Sequence, residues 1–564
     1  MLQDMKTLLP SVFLSPDAVQ TRTSKLMGRQ SAGRGFMRGL ARAYAAEQQT
    51  LHLVHGGGAQ QAVLEMEARS TGWADPITHH LVNVPASWPV GVMYYPAPIN
   101  TRMAWQRSRL GAGHMALCGV THTISSSGVL AQLADYVQGP FTGADALIWT
   151  SQSVLKVVHQ VWQLQQEQLA RRLGVSAVQP TLPMTPVIPL GVHVDDFVPQ
   201  QALRAQARAE WGLAQDEVAV LFVGRLSLHA KANPLPMYLA CARAAAQTGR
   251  RVRVLECGWF ANDAIRSSFD EAARAAGVEL TRVDGRVAGV TQRAFAAADV
   301  FMSLSDNIQE TFGLTPLEAM AAGLPVVASD WDGYRETVRD GIDGFLVPTA
   351  QPSDLSCGQA VSEAYEDGRM NYDHYIGHAH LMVSVDVAAC AQALARLIDN
   401  PDLRQQMGAS GRERARLVFD WQVVTKQYQA LWTEQEARRS TLAAQTAPPL
   451  RDPAFTNPLA LFDHYPSAGL GAERLLWRDP LATQEMAHAL RGLGMWGFSG
   501  NRLVSAEAVV KAWLALPERG QDGMTVAQWS RGQGWNVSQG LRHAVWMHKT
   551  GLLSWDVQAA GATA

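Results

Sequence analysis

Two glutamates eight positions apart, Glu310 and Glu318, stand in the stretch SDNIQETFGLTPLEAMAAGLPVVASD, residues 305–330. Gly313 and Pro316 lie between them and argue against one continuous helix, because proline costs about 3 kcal/mol inside a helix but little in its first turn. The spacing predicts a helix with Thr315 as N-cap, Pro316 as first helical residue and Glu318 completing a Thr-x-x-Glu capping box. Glu310 then belongs to the loop that follows the apolar run DVFMSLS, and a second buried strand, LPVVAS, follows the helix. A loop carboxylate beside free helix N–H groups suits the hydroxyls of a sugar or the oxygens of a phosphate. Taken alone, Glu318 is better explained as a cap.

A second constellation begins at LFVGRLSLHAKANP, residues 221–234. A buried strand is expected to end at Gly224, with Arg225 and Lys231 following before an amphipathic helix. Cations past the carboxyl end of a parallel strand lie where α/β sheets bind ligands, and an arginine fork with a lysine point charge suits a pyrophosphate. In CGVTHTISSSG, His122 closes another buried strand and is a site candidate on the same ground. Near the start of the chain, Gly28, Gly33 and Gly35 read as a glycine loop opening a helix. Arg34, Arg38 and Arg42 recur at i,i+4 opposite the apolar face of Phe36, Met37, Leu40 and Tyr44. The loop could cradle an anion; the arginine stripe is as readily an ordinary solvated face or a surface for an acidic acceptor or lipid.

Other patterns are set aside. DHYIGHAH supplies His374, His378 and His380, but Gly377 weakens the helical geometry and no cysteine partner stands out, so no metal is expected. GAGHMA, residues 111–116, imitates a dinucleotide fingerprint but follows a polar segment instead of a buried strand.

The elements that must position these residues alternate: short apolar runs (SVFLS, TLHLVHGGG, LCGVTHTIS, ADALIWTS and TPVIPLGV, then VAVLFVGRL, VRVLECGW, GVELTRV, ADVFMSLS and LPVVASD) with alanine-rich amphipathic segments. That is the signature of α/β architecture with parallel sheets, here in two sets. The 564 residues allow three or four domains, and the seam between the sets falls in GVHVDDFVPQ, residues 191–200. Net charge is −2, which gives no global bias toward nucleic acid or anionic membrane. Five scattered cysteines without a CxxC pair suit reduced thiols, neither a disulfide framework nor a zinc site. No apolar stretch approaches a membrane span, and the first residues make a poor signal peptide, so a cytoplasmic protein, peripheral to the membrane at most, is expected.

Five segments in order, VIPLGVHVDDF, GRLSLHAK, ETFGLTPLE with its two glutamates, AMAAGLPVVAS and DGIDGFLV, resemble the retaining glycosyltransferases of family 4, which have the GT-B fold. The resemblance covers roughly residues 20–435. It implies two doubly wound Rossmann-like domains facing across a cleft. Residues 1–195 form the acceptor-side domain, closed by a helix over 419–436, and residues 196–418 the donor domain; a linker spans 437–460. It implies a sugar moved from a nucleotide-diphosphate sugar to a sugar, lipid-linked or macromolecular acceptor, with no cofactor and no metal, since two cations do the metal's work. Arg225 and Lys231 would hold the diphosphate, and Glu310 the donor sugar. Phe312, Gly313 and Leu314 would offer backbone N–H groups, and Glu318 would bind the ribose. His122 would contact the sugar, with Gly28, Gly33 and Arg34 on the acceptor side. Two departures stand out: Ala232 follows the lysine where glycine is common, and the segment GQAVSEAYEDGRMNYDHYIGHAHLMVSVDVAA replaces a short connection.

The last module, residues 461–564, reads helix, turn, helix and wing, similar to a winged helix. Arg542, His543, His548 and Lys549 are a modest basic set, so nucleic acid is not favoured over a protein partner or self-association. Trp529, Trp535 and Trp546 are expected in its core or at a partner. A sugar-nucleotide epimerase, a non-catalytic scaffold and a nucleic-acid-directed or protein-directed transferase stay open on the sequence alone.

Overall fold

The computed structural model describes residues 7–19, 28–444 and 450–555. The first sheet is built from β1 (Ser11–Phe13), β2 (Leu51–His55), β3 (Ile77–Leu81), β4 (Gly91–Tyr95), β5 (Met115–Val120) and β6 (Ala146–Ile148). The second is built from β7 (Val218–Leu226), β8 (Val252–Phe260), β9 (Glu279–Asp284), β10 (Val300–Ser303), β11 (Val326–Ser329) and β12 (Gly344–Val347). Their orders are β3-β2-β1-β4-β5-β6 and β12-β11-β10-β7-β8-β9, with every neighbouring pair parallel. Both are the Rossmann strand order, read from opposite edges, and together they make the expected two-domain GT-B architecture. All residues of β5, β10 and β11 are buried, which is why these strands read as unbroken apolar runs.

Two expectations fail locally. TPVIPLGV is not a ladder strand but makes isolated bridges, Trp149 with Val187 and Val192 with Asp420. Pro186 and Pro189 remove the N–H groups a ladder needs. Conversely β3, with the sequence ITHHL, escaped notice because its edge position leaves it partly exposed and polar.

The chain passes between the domains twice, and the two crossings bond to each other. Val192 N–H donates to Phe419 O at 2.8 Å and Trp421 N–H to Val192 O at 3.1 Å. The helix Trp421–Ala443 then lies on the first domain, its Trp421, Tyr428 and Trp432 joining Phe36 and Tyr94 in one core. It runs past the expected end at 436, because residues beyond that point are still tied down: Arg439 donates to Gly113 O at 2.6 Å. Gly113, in the GAGHMA segment, packs so tightly that a Cβ would stand 2.2 Å from Ala443 N. That segment therefore seats the closing helix at the amino end of β5, away from the end where nucleotides bind.

The departure from the short connection is an excursion that leaves and rejoins the chain through its own strand pair. Two short strands, Thr349–Ala350 and Ser384–Val385, pair antiparallel and carry between them the helices Gln359–Glu366 and Tyr372–His380.

The chain divides into two compact units, Met1–Arg451 and Asp452–Ala564. The second has its own core around Leu476, Trp513, Trp529 and Met547. Its sheet pairs Leu475–Arg478 with Met524–Thr525 and Leu553–Trp555, all antiparallel. The helices Val526–Gly532 and Val537–Lys549 are joined by a turn at Gly534, with φ 70°. Trp529 is fully buried and Trp546 nearly so, and Trp535 stacks on His543. His543 is buried between Gln539 O and Val504 N–H, so it does not belong to an exposed basic face.

Candidate active site

The switch point of the second sheet lies between β7 and β10, and the cations and the first glutamate flank it. β7 runs two residues past Gly224 and holds Arg225 on the strand, because β8 pairs with it through Leu226. The pairing is close: a Cβ on Gly258 would stand 2.0 Å from Gly224 O. The next turn is closed by Lys231 N–H on Ser227 O at 3.1 Å. Lys231 O is in turn held by Ser305 Oγ at 3.2 Å and Asn307 Nδ2 at 2.5 Å, from the loop after β10. These bonds lock the two loops together and bring Lys231 Nζ to 3.2 Å from Glu310 Oε2, although the residues are 79 apart in sequence. Ala232, in place of glycine, is accommodated as a buried core residue.

Burial alone would raise the Glu310 carboxyl, but the Lys231 charge and hydrogen bond, with backbone N–H groups of Thr311 and Phe312, hold it below its ordinary value. Glu310 is therefore an ionised acceptor beside a cation. Arg225 is half-buried and donates to Gln309 Oε1 at 3.4 Å.

Asp332 was not foreseen. It occupies φ 36°, a left-handed conformation that aspartate tolerates, in the Asp332-Gly333 turn after β11. One oxygen accepts from Tyr334 N–H at 3.3 Å; the other is buried with no hydrogen-bond partner among the described residues. Burial first, and then the Glu310 charge, push its carboxyl well up. The Asp-Gly turn signal was in the sequence, but not its nearness to Glu310.

The capping box is overturned. The helix is Leu314–Ala321 with Gly313 as N-cap and no side-chain cap, so Thr315 and Pro316 both lie in its first turn. Gly313 has φ 86°, and a Cβ there would stand 2.1 Å from the Tyr334 ring. Packing against Tyr334 moves the start of the helix earlier than Thr315. Glu318 therefore sits on the helix body, and burial raises its carboxyl to about 7. Leu314 lies at the helix N-terminus, while the Phe312 side chain is buried in the core.

In the first domain, His122 follows β5 and lines a small cavity with Gly33, Phe36, Pro96 and Trp421. Gly28 and Gly33 do not form a loop: the helix is Gly28–Ala43. Gly33 and Gly35 serve packing, since a Cβ on Gly33 would stand 2.1 Å from Ala18 O and one on Gly35 would stand 2.8 Å from Trp421 Nε1, whereas one on Gly28 would meet nothing within 4 Å. Residues 20–27, just before it, lie outside the described residues. The arginine stripe is spent on partners in the chain. Arg34 donates to Glu67 at 3.0 Å and Ser70 at 3.2 Å, Arg38 pairs with Asp196, and Arg42 Nη1 lies 3.3 Å from His193 Nδ1. Of the three histidines in DHYIGHAH, only His380 is buried, 3.5 Å from Asp306; among the described residues no cluster of three or more metal-ligating side chains occurs.

Residues 217–367, from β7 through the first helix of the insertion, match the family model described as Glycosyl transferases group 1. This segment is similar to group 1 glycosyl transferases. The match contains Arg225, Lys231, Glu310 and Glu318. The D-inositol 3-phosphate glycosyltransferase of Geodermatophilus obscurus is 36% identical over 30% of this chain and 38% of its own length. The phosphatidyl-myo-inositol mannosyltransferase of Mycobacterium leprae is 31% identical over 49% of this chain and 60% of its own. The chain thus spans less than two thirds of the length of these curated relatives. The solved structure of Anabaena Alr3699/HepE in complex with UDP and glucose aligns over 76% of this chain and 100% of its own, at 16% identity and a TM-score of 0.49. No helix among the described residues is long and apolar enough to cross a membrane.

Proposed function

We propose that this chain is a retaining, metal-independent glycosyltransferase of the family 4 kind, moving a sugar from a nucleotide-diphosphate sugar to a hydroxyl of its acceptor. The observation that carries the reading is the Lys231–Glu310 pair at the switch point beside Arg225, inside the segment that matches group 1 glycosyl transferases. In the reaction the bond from C1 of the sugar to the diphosphate breaks and the nucleoside diphosphate leaves with the bonding pair. The acceptor oxygen forms the new bond to C1 and passes its proton to an oxygen of the departing diphosphate. Arg225 and Lys231 stabilise the charge that grows on the leaving diphosphate, which is the electrostatic work that dominates such steps. Glu310, kept ionised, accepts from hydroxyls of the donor sugar and orients its C1. Glu318 meets the ribose, and the N–H groups of Gly313 and Leu314 face the sugar and phosphate, that of Phe312 being directed at Glu310. His122 approaches the sugar from the first domain, whose Gly28–Gly33 end forms the acceptor side. An acceptor that reached Arg34 would compete with Glu67. The relatives' names make inositol phosphates the first acceptors to test. The second unit, winged-helix-like in element order, serves a protein partner or self-association ahead of nucleic acid, and the enzyme works in the cytoplasm.

The test is incubation of the full chain with UDP-, GDP- and ADP-sugars in EDTA, with and without myo-inositol phosphates, following nucleoside diphosphate release and product anomer by NMR. Release from one donor and a product with the donor's anomeric configuration are expected. No release or binding with any of the three would overturn the transferase reading. A strict need for added Mg²⁺ or Mn²⁺, or an inverted product, would overturn the corresponding part.

A further inference from the structure

The 351–383 excursion reaches back over the donor loops and across to the first domain. Its helix Tyr372–His380 is anchored on those loops. His380 Nδ1 lies 3.5 Å from Asp306 Oδ2, and a Cβ on Gly377 would stand 3.5 Å from His229 Cβ. The anchoring places the Tyr372 hydroxyl 2.7 Å from Ser125 Oγ, in the first domain and 247 residues away. Gln309 Nε2 donates to the same hydroxyl at 3.3 Å, and Gln309 Oε1 accepts from Arg225 Nη2 at 3.4 Å. Because the tyrosine oxygen accepts from Gln309, its own proton is available to Ser125, and the series Ser125–Tyr372–Gln309–Arg225 is chemically consistent along its length. A second strut runs beside it. Ser127 donates to Tyr365 OH from Oγ at 3.0 Å, and the Tyr365 and Tyr375 rings stack at 4.4 Å.

We propose that Tyr372 is a positioning residue that couples contact between the two domains to the orientation of Arg225. With Ser125 in reach, the tyrosine holds Gln309, and Gln309 holds the guanidinium toward the diphosphate. When the domains part, the series loses its first member and Arg225 its fixed direction. The excursion thus makes tight diphosphate binding conditional on a closed cleft. The proposal rests on the donor-site reading above.

Calorimetry on the full chain with UDP, GDP and ADP identifies the tightest diphosphate, which is then measured beside its monophosphate. Arg225→Ala tests the donor site itself: unchanged diphosphate affinity, or no binding by the parent, would defeat that reading and this proposal with it. Tyr372→Phe keeps the ring and its packing. It should weaken the diphosphate roughly 3- to 10-fold, as for one neutral hydrogen bond, with the monophosphate and Tm nearly unchanged. Ser125→Ala should cause a similar loss in the parent and no further loss in the Tyr372→Phe background, since members of one series are not additive. Parent-like diphosphate binding by Tyr372→Phe, or a Ser125→Ala loss that persists in that background, would overturn the coupling and leave the donor site standing. So would an equal loss for both nucleotides accompanied by a lower Tm, which marks a merely structural contact.

Discussion

At the scale of single residues, the two glutamates of one motif have opposite electrostatics, and this separates their roles. Glu310 gains a cation and backbone donors and is held ionised; Glu318 gains only burial and is pushed up to about 7. Glu310→Gln and Lys231→Ala should each lower kcat more than they weaken nucleotide binding, because they act on the sugar and on the leaving charge. Steady-state kinetics beside calorimetry checks that split; two parent-like variants would remove both residues from the site. For Glu318 the sign follows from linkage. A carboxyl raised in the fold contributes stability that is fully present below the ordinary carboxylate range and lost as pH rises through about 7. Glu318→Gln should therefore be as stable as the parent near pH 4 and more stable at about pH 8, while binding the nucleotide more weakly. Thermal melts across that range decide it: a variant less stable at pH 8 would mean that the carboxylate has a partner in the fold.

At the scale of elements, the closing helix depends on one tryptophan set against three glycines. Trp421 is 2% exposed. A Cβ would stand 2.8 Å from its ring nitrogen at Gly35, 3.1 Å from its Cβ at Gly39 and 2.5 Å from its ring at Gly191. Gly35 and Gly39 belong to the helix Gly28–Ala43, and Gly191 to the segment that crosses between the domains. A buried indole with neighbours on these sides has nowhere to move, so Gly191→Ala should cost about 1–3 kcal/mol by overpacking. Chemical denaturation measures this, and a loss under 0.5 kcal/mol would show that the crossing can shift to make room. The three glycines carried no such signal in the sequence. Gly33 and Gly35 looked like an anion-binding loop because a glycine-rich stretch before an amphipathic run has the same composition as a helix face pared down for close packing.

At the scale of the whole molecule, the unit Met1–Arg451 holds both Rossmann sheets, the crossings and the closing helix, while the second unit has a tryptophan-rich core of its own. Several of its apolar side chains are nonetheless exposed, among them Phe498 at 89% and Leu481 at 85%. A chain ended at Arg451 should keep nucleotide binding and donor hydrolysis within a factor of about two, because none of the residues proposed for the donor site lies beyond it. Transfer to the natural acceptor, or self-association seen by light scattering, should fall. Unchanged transfer and mass would leave the second unit without either role, and loss of nucleotide binding would show that the two units fold together.

The sequence by itself determined most of the buried strands, the two-sheet class and the loop positions of Lys231 and Glu310; it missed β4 and ended β7 before Arg225, which the structure keeps on the strand. These follow from local patterns: unbroken apolar runs and a proline in a first turn. It misjudged TPVIPLGV, whose apolar residues suit a strand but whose prolines cannot donate to a ladder. Only tertiary structure set the 3.2 Å approach of Lys231 to Glu310 and the place of Asp332 beside them. It also started the Glu318 helix early, by packing Tyr334 against Gly313, and carried Tyr372 to Ser125. Each of these depends on residues from different loops meeting across a sheet edge or a cleft. Such meetings are fixed by strand order and domain crossing, and neither is written in the spacing along the chain.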